Sequence, residues 1–234
     1  MGAVLEMRWT CIAAMLGTLV LAGCGNDEAG NDLSAPAKVL FSALQGVGKP
    51  TATANPNDPA VKAGILAYRA QLEADGQPIL LASNQTLKYG TLHAPFGQNG
   101  DVVTWSSVGY QEISLRGGIL IATRGFGPDL MSATAPGVAM IARASGTTVR
   151  RYHYLDGADQ PQVLEFNCTL SPAGSESIEV MAKVFAARKV RETCAGPSGS
   201  FVNEYWFDSG LNIRQSSQRM APGLDSLFMQ RIVD

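Results

Sequence analysis

Phe201–Arg219, FVNEYWFDSGLNIRQSSQR, is the stretch that decides the fold class. Phe201–Asp208 and Leu211–Arg219 are long, alternating runs broken by a small polar and glycine cluster. That pattern reads as antiparallel strands and not as helix. Working outward, similar runs recur between Gly, Pro, Asn and Asp clusters at the spacing of an all-β meander. They are Ile79–Ala82, Thr86–His93, Val102–Ser107, Gln111–Leu115 and Gly118–Thr123, then Thr147–Leu155, Val163–Leu170, Ile178–Phe185, Lys189–Thr193 and Asp225–Ile232. So many strands do not comfortably stay flat and open, so the chain is expected to form a mainly β, antiparallel barrel or half-barrel.

Ahead of the strands the pattern is helical. Ala37–Leu44 is short. Gln45–Asn57 is rich in turn formers and reads as loop. Asp58 and Pro59 then stand where a helix begins, and Ala60–Leu72 spaces Val61, Ile65, Leu66 and Leu72 at helical intervals. Asp75-Gly76-Gln77-Pro78 ends it. The expected organisation is a leader over 1–23, a tether over 24–36 and one β-rich domain over 37–234, whose helical prelude is 37–78.

The leader is the apolar run Trp9–Ala22, closed by Leu21-Ala22-Gly23-Cys24. It is long enough for export and short for a membrane span. The four closing residues resemble the lipobox of bacterial lipoproteins, which implies cleavage before Cys24 and lipid on its thiol. An ordinary secretory leader with Cys24 incidental is the alternative. Met7-Arg8-Trp9 is a more usual start than Met1, because Glu6 would be lost. Gly25, where an inner-membrane signal would place Asp, favours a lipid anchor at the periplasmic face of the outer membrane.

Composition narrows the partners. The net charge is −2, charged residues are 16%, and there are 25 Gly and 12 Pro. No basic stripe is present, so nucleic acid is not an expected partner. Cys11 falls in the leader and Cys24 takes the lipid, which leaves Cys168 and Cys194 as an even pair in an oxidising compartment. A disulfide is the simplest reading; a metal site is the other, poorly served by two thiols without a neighbouring His. Strands flanking a third would hold the two cysteines roughly 9.6 Å apart, beyond the ~7 Å reach of a disulfide. Ile178–Phe185 is therefore not expected to lie flat between them, although Ala186-Ala187-Arg188-Lys189 makes a poor turn.

Catalytic patterns are sparse. The two histidines, His93 and His153, stand on strands outside any metal-ligand spacing, and each reads as a half-buried, hydrogen-bonded strand residue. No nucleophile elbow, phosphate loop or C-x-x-C occurs. The densest feature is Arg116–Leu130, RGGILIATRGFGPDL, a strand between two glycine turns. It reads as architecture closed by a surface ion pair, or as a recognition loop presenting Arg116, Arg124 and Asp129.

These residues also carry a resemblance. Trp105-Ser106-Ser107, RGGILIATRGFGPDL, Tyr154-Leu155-Asp156-Gly157 and the Cys168/Cys194 pair are similar to the YjbF/GfcB family of capsule polysaccharide lipoproteins. Asn203–Asp208 and Ser216-Ser217-Gln218-Arg219 with Pro222 extend the likeness to the carboxy terminus. The resemblance implies a YmcC-like, barrel-like β fold and a non-catalytic role in exopolysaccharide or capsule production or export. It also implies a periplasmic partner and an outer-membrane barrel as company, and no cofactor or metal. Trp105, Tyr205 and Trp206 are then candidate glycan-stacking residues, with core packing as the alternative; alternation turns Tyr205 and Trp206 to opposite faces. The rival functions are a polysaccharide-modifying enzyme, built on His153 or Asp129, and a scaffold that positions the secretion barrel.

Overall fold

The computed structural model describes residues 59–234. Cys24, the tether and the short helix expected at 37–44 lie outside them. Helix α1 (Pro59–Ala74) opens on Pro59, whose missing N–H is no loss at a first helical position. Gly76 (φ 63°) ends it, with Gln77 N donating to Leu72 O at 3.1 Å and Gly76 N to Glu73 O at 3.3 Å. That pair of bonds satisfies the last carbonyls of the helix. Leu72 is buried as expected, but Leu66 is exposed. Leu66 sits roughly 120° round the helix from Leu72, and Arg69 takes the buried face in its place.

The strands are β1 (Ile79–Asn84), β2 (Tyr89–Asn99), β3 (Val102–Ser107), β4 (Glu112–Arg116), β5 (Ile119–Arg124) and β6 (Ser132–Thr134). A one-turn helix α2 (Val138–Ala142) follows, then β7 (Gly146–Leu155), β8 (Pro161–Val180), β9 (Lys183–Gly196), β10 (Gly199–Phe207), β11 (Ile213–Gln218) and β12 (Leu227–Val233). They form one antiparallel sheet ordered β5-β4-β3-β2-β1-β12-β11-β10-β9-β8-β7-β6. The β1–β12 pairing joins two meanders, and the edges β5 and β6 are consecutive in the chain. Those edges come close: Thr123 N of β5 donates to Leu130 O just ahead of β6 at 2.8 Å, and from β11 the Gln218 side chain accepts from Leu120 N at 2.9 Å and donates to Gly118 O at 2.8 Å. One glutamine thus satisfies an edge that lacks a partner strand, and the sheet becomes a nearly closed barrel.

The expected strand Ile178–Phe185 is corrected. Met181 (φ 46°) and Ala182 (φ 64°) form a two-residue turn in its middle, the geometry that matches strand twist in tight hairpins. Ala186–Lys189, read as a poor turn, lies inside β9. β8 and β9 therefore pair directly, Cys168 stands opposite Cys194 in the register, and the two form a disulfide with Cα atoms 4.0 Å apart.

Alternation sorts side chains to two sides of the wall. Leu80, Trp105, Leu115, Tyr152, Phe166 and Met229 pack inside, joined by Ile119, Val190, Tyr205 and Phe207 under α2. Outside, α1 and the far end of the β8–β9 hairpin cover Ile79, Ile178, Val180, Trp206 and Ile232. Arg69 binds these parts together, donating to Val180 O at 2.6 Å, Met181 O at 3.0 Å and Ile232 O at 2.8 Å. Much of the remaining outer surface carries ion pairs such as Arg151–Glu165 and Lys189–Glu204. A lipid-spanning barrel has the opposite pattern, apolar outside and polar within. Among the described residues no helix is long and apolar enough to cross a membrane.

Candidate functional site at the barrel mouth

At the end of the barrel where β4 turns into β5, the packing leaves a cavity of about 110 Å³. Leu80, Val103, Trp105, Leu115 and Met229 supply apolar walls, while Arg214, Ser216 and Arg231 supply the polar groups. The turn Gly117-Gly118 (φ 58° and 88°) closes one side. A side chain there would be strained and crowded: a Cβ on Gly118 would lie 3.2 Å from Ile213, and one on Gly117 3.2 Å from Val138.

The polar groups are mostly donors. Arg214 is held by Asp208 at 2.6 Å and by Asp234 at 2.5 Å. Burial works against its charge, but these two carboxylates outweigh that and lift its pKa above the ordinary value. Arg231 lies with its guanidinium 5.7 Å from the centre of the Trp105 ring. Its Nε is buried without a hydrogen-bond partner; Asp234 Oδ1 is 3.3 Å away but not aligned to accept. Ser216 Oγ accepts from Gln218 Nε2 at 3.0 Å, which leaves its own proton to donate. The site thus offers an aromatic wall with arginine and serine donors among its lining to a ligand that carries acceptors.

Other expected site residues fall elsewhere. Trp105, Tyr205 and Trp206 are 4%, 0% and 6% exposed, so none forms a surface stacking platform. Tyr205 and Trp206 do face opposite ways, but both sides of the wall are covered there. Tyr205 joins the interior, and Trp206 lies under the β8–β9 hairpin with its Nε1 donating to Glu176 at 2.6 Å. Trp105 alone meets open space, from inside the cavity. Arg116, Arg124 and Asp129 do not converge. Arg116 pairs with Asp101 near the cavity, and Arg124 with Glu112 at the far end of the barrel. Asp129 accepts from Thr123 Oγ1, Gly125 N and Phe126 N, so it shapes its own loop and makes no pair with Arg124.

Nor do the histidines meet. His153 is half-buried on β7, opposite Val163. His93 is sealed inside, with Nε2 3.0 Å from Tyr89 Oη and Nδ1 unpaired. Burial drives its pKa down to about 4, opposed only slightly by the Thr91 backbone. An unfolded chain protonates this histidine near pH 6.5, so between about 6.5 and 4 unfolding takes up a proton. Stability is complete above that window and falls by about 3 kcal/mol as pH drops through it. His93→Gln should flatten that part of the stability-against-pH curve in urea titrations; an unchanged slope would show that His93 is accessible to protons in the fold. Cys168, Cys194 and Glu192 form one group of metal-ligating types among the described residues, but its sulfurs are bonded to each other.

Sequence reading missed Tyr110. It is 84% exposed, holds a φ of 63°, and its carbonyl abuts Gly125 beside Arg124. The signal was an aromatic following Gly109 in a short loop, where no strand partner could cover it. A positive φ costs a non-glycine residue roughly 1–2 kcal/mol. Tyr110→Gly should therefore leave stability unchanged or raise it by up to about 1 kcal/mol in chemical denaturation. A loss of that size would mean that the ring packs.

The model of the family described as group 4 capsule polysaccharide lipoprotein gfcB, YjbF matches residues 62–232. The chain belongs to the YjbF/GfcB family. Among solved structures, the crystal structure of the hypothetical lipoprotein YmcC from Escherichia coli K12 superposes with a TM-score of 0.62 at 16% identity, covering 74% of this chain and 95% of that one. The YmcC-like fold is thereby shown. A protein with a YmcC-like fold from Bacteroides fragilis aligns over 67% of this chain and 93% of its own, at 9% identity and a TM-score of 0.32, too low to carry an argument. No curated protein matches the sequence. Three of the segments that suggested YjbF/GfcB from sequence are brought together by the barrel: Trp105, Gly117-Gly118 and Ser216 border the cavity, and Gln218 binds the backbone beside it.

Proposed function

We propose that this YjbF/GfcB protein is a non-catalytic accessory to capsule or exopolysaccharide production or export, anchored by lipid on Cys24 to the periplasmic face of the outer membrane. In this reading it engages the polymer by lodging part of a sugar unit at the barrel mouth. The observation that carries it is the convergence of separate family segments on a cavity with an indole wall and unspent hydrogen-bond donors. Carbohydrate ligands suit such a site, because a sugar presents both an apolar face and many acceptors. The full lipoprotein in detergent micelles should bind fragments of its host's polysaccharide saturably, with a change in tryptophan fluorescence. Absence of binding at millimolar fragment would remove the glycan role. Palmitate labelling lost in Cys24→Ala, with the wild type sedimenting in outer-membrane fractions, would support the anchor; unlabelled wild type would overturn it.

A scaffold role has one observation in its favour. Val149, Leu155, Val163 and Val202 are exposed on the outer face of β7, β8 and β10, apolar surface that a protein partner could cover. Cross-linking at Val163 to an outer-membrane barrel, with no glycan binding, would favour this reading.

A further inference from the structure

We infer that the barrel-mouth cavity receives the acetyl group of an N-acetylated or O-acetylated sugar; this rests on the glycan reading above and names the substituent that enters. Size gives the first reason. At about 30 Å³ per water, a cavity of this size holds on the order of four waters, room for a small substituent and not for a chain. The walls give the second. Leu80, Val103, Leu115 and Met229 stand with Trp105 around it, and a ring bearing hydroxyls on every side would strand them against these apolar groups. A methyl group would not be stranded.

The donors decide the remaining chemistry. Arg231 lines the cavity with its side chain 36% exposed, and the Ser216 hydroxyl keeps a proton to give. Both suit a carbonyl oxygen, an acceptor that brings no proton of its own. Charge argues for a neutral guest. Arg214 and Arg231 are already matched by Asp208 and Asp234, so the mouth has no net positive charge to reward a free carboxylate. An amide or ester carbonyl with a terminal methyl meets all three conditions: its methyl lies against Trp105 and the aliphatic walls, and its oxygen takes the donors.

The test uses the full lipoprotein in detergent micelles and NMR titration with single sugars. The probes are N-acetylglucosamine, N-acetylgalactosamine, 6-O-acetylglucose, glucose, glucosamine and glucuronic acid. At least one acetylated probe should bind tenfold or more tightly than glucose, glucosamine and glucuronic acid, with saturation transfer strongest at the acetyl methyl. Preference for the amides over the ester, or the reverse, assigns the source of the acetyl group. Enlarging the acyl group to benzoyl should abolish binding. Val103→Phe, which fills the cavity, and Ser216→Ala, which removes a donor, should each weaken the acetylated probe tenfold. Because the ligand series uses wild-type protein, a misfolded variant leaves the comparison intact. Equal binding of glucose and the acetylated sugars would overturn the inference and leave the glycan reading standing. Binding of polysaccharide fragments with none of the acetylated probes would do the same, and no binding of either would overturn both.

Discussion

Glu192→Ala is expected to destabilise the protein by about 3–5 kcal/mol, the usual consequence of leaving a buried charge without its partner. Glu192 and Arg150 lie inside the barrel with side chains 0% and 1% exposed, joined at 2.8 Å. Arg150 Nη2 donates to Tyr205 Oη at 2.8 Å, and that hydroxyl donates on to Glu192 Oε2 at 3.0 Å. Asn203 Nδ2 adds a bond to Glu192 at 2.9 Å while its carbonyl accepts from Arg219 N at 2.7 Å. Burial alone would lower the Arg150 pKa, but Tyr205, Tyr152 and Glu192 outweigh it and hold the pKa above its ordinary value. Arg150 would stay charged when Glu192 is removed, because a guanidinium does not give up its proton in proteins. Burial likewise raises the Tyr205 pKa and keeps the phenol neutral, which suits its double role as acceptor and donor. Glu192→Gln should be nearly as harmful as alanine, because it keeps the shape and loses the charge. Arg150→Met with Glu192→Leu should recover much of the loss, since removing both charges spares their desolvation. Urea midpoints of the wild type, Arg150→Met, Glu192→Leu and the double variant measure the coupling. A single-variant cost below about 1 kcal/mol would mean that water reaches the pair.

Loss of the disulfide is the second large effect. The bond closes a segment of sequence separation 26, and in the chain-entropy model a loop of that size is worth roughly 3.5 kcal/mol. Cys168 and Cys194 are register partners on β8 and β9 and are buried. Their reduced thiols would remain packed where they are, so the folded state should change little while the unfolded chain gains freedom. Cys168→Ala with Cys194→Ala should lower the melting temperature by roughly 7–14 °C, given about 2–4 °C per kcal/mol for a domain of this size. Amide and methyl NMR shifts away from β8 and β9 should stay close to wild type. An unchanged melting temperature would show that the hairpin is already held closed in the unfolded chain.

Most strands were legible because their alternation is strong and the turns between them carry Gly, Asn or Asp. The tip of the β8–β9 hairpin was not. Met181 and Ala182 adopt positive φ without the residue types that announce it, so Ile178–Phe185 read as one strand. β6 and α2 are too short, at 3 and 5 residues, to show a period. The interior was harder still. Arg69, Arg150 and Glu192 look like surface charges in a sequence; closure of the barrel puts Arg150 and Glu192 out of water, and packing of α1 on the outer wall does so for Arg69. The stacking platform was lost on both faces of β10: closure covers Tyr205 inside, and the β8–β9 hairpin covers Trp206 outside. Trp105 lines a cavity instead of a surface: alternation sent it inward, and that cavity exists only once β3, β4, β11 and β12 have met. Separation in the chain hid that site, since Trp105, Gly117-Gly118, Ser216 and Arg231 lie on segments far apart in sequence.

The central claim is that polysaccharide enters the barrel mouth. It is tested most directly by methyl and tryptophan-indole NMR of the full lipoprotein in detergent micelles, titrated with fragments of its host's capsule or exopolysaccharide. Saturable shifts confined to the Trp105 indole and the methyl groups of Leu80, Val103, Leu115 and Met229, and lost in Val103→Phe, are the predicted result. Shifts centred on Tyr110 at the opposite end with the mouth unmoved, or no shifts at millimolar fragment, would contradict it.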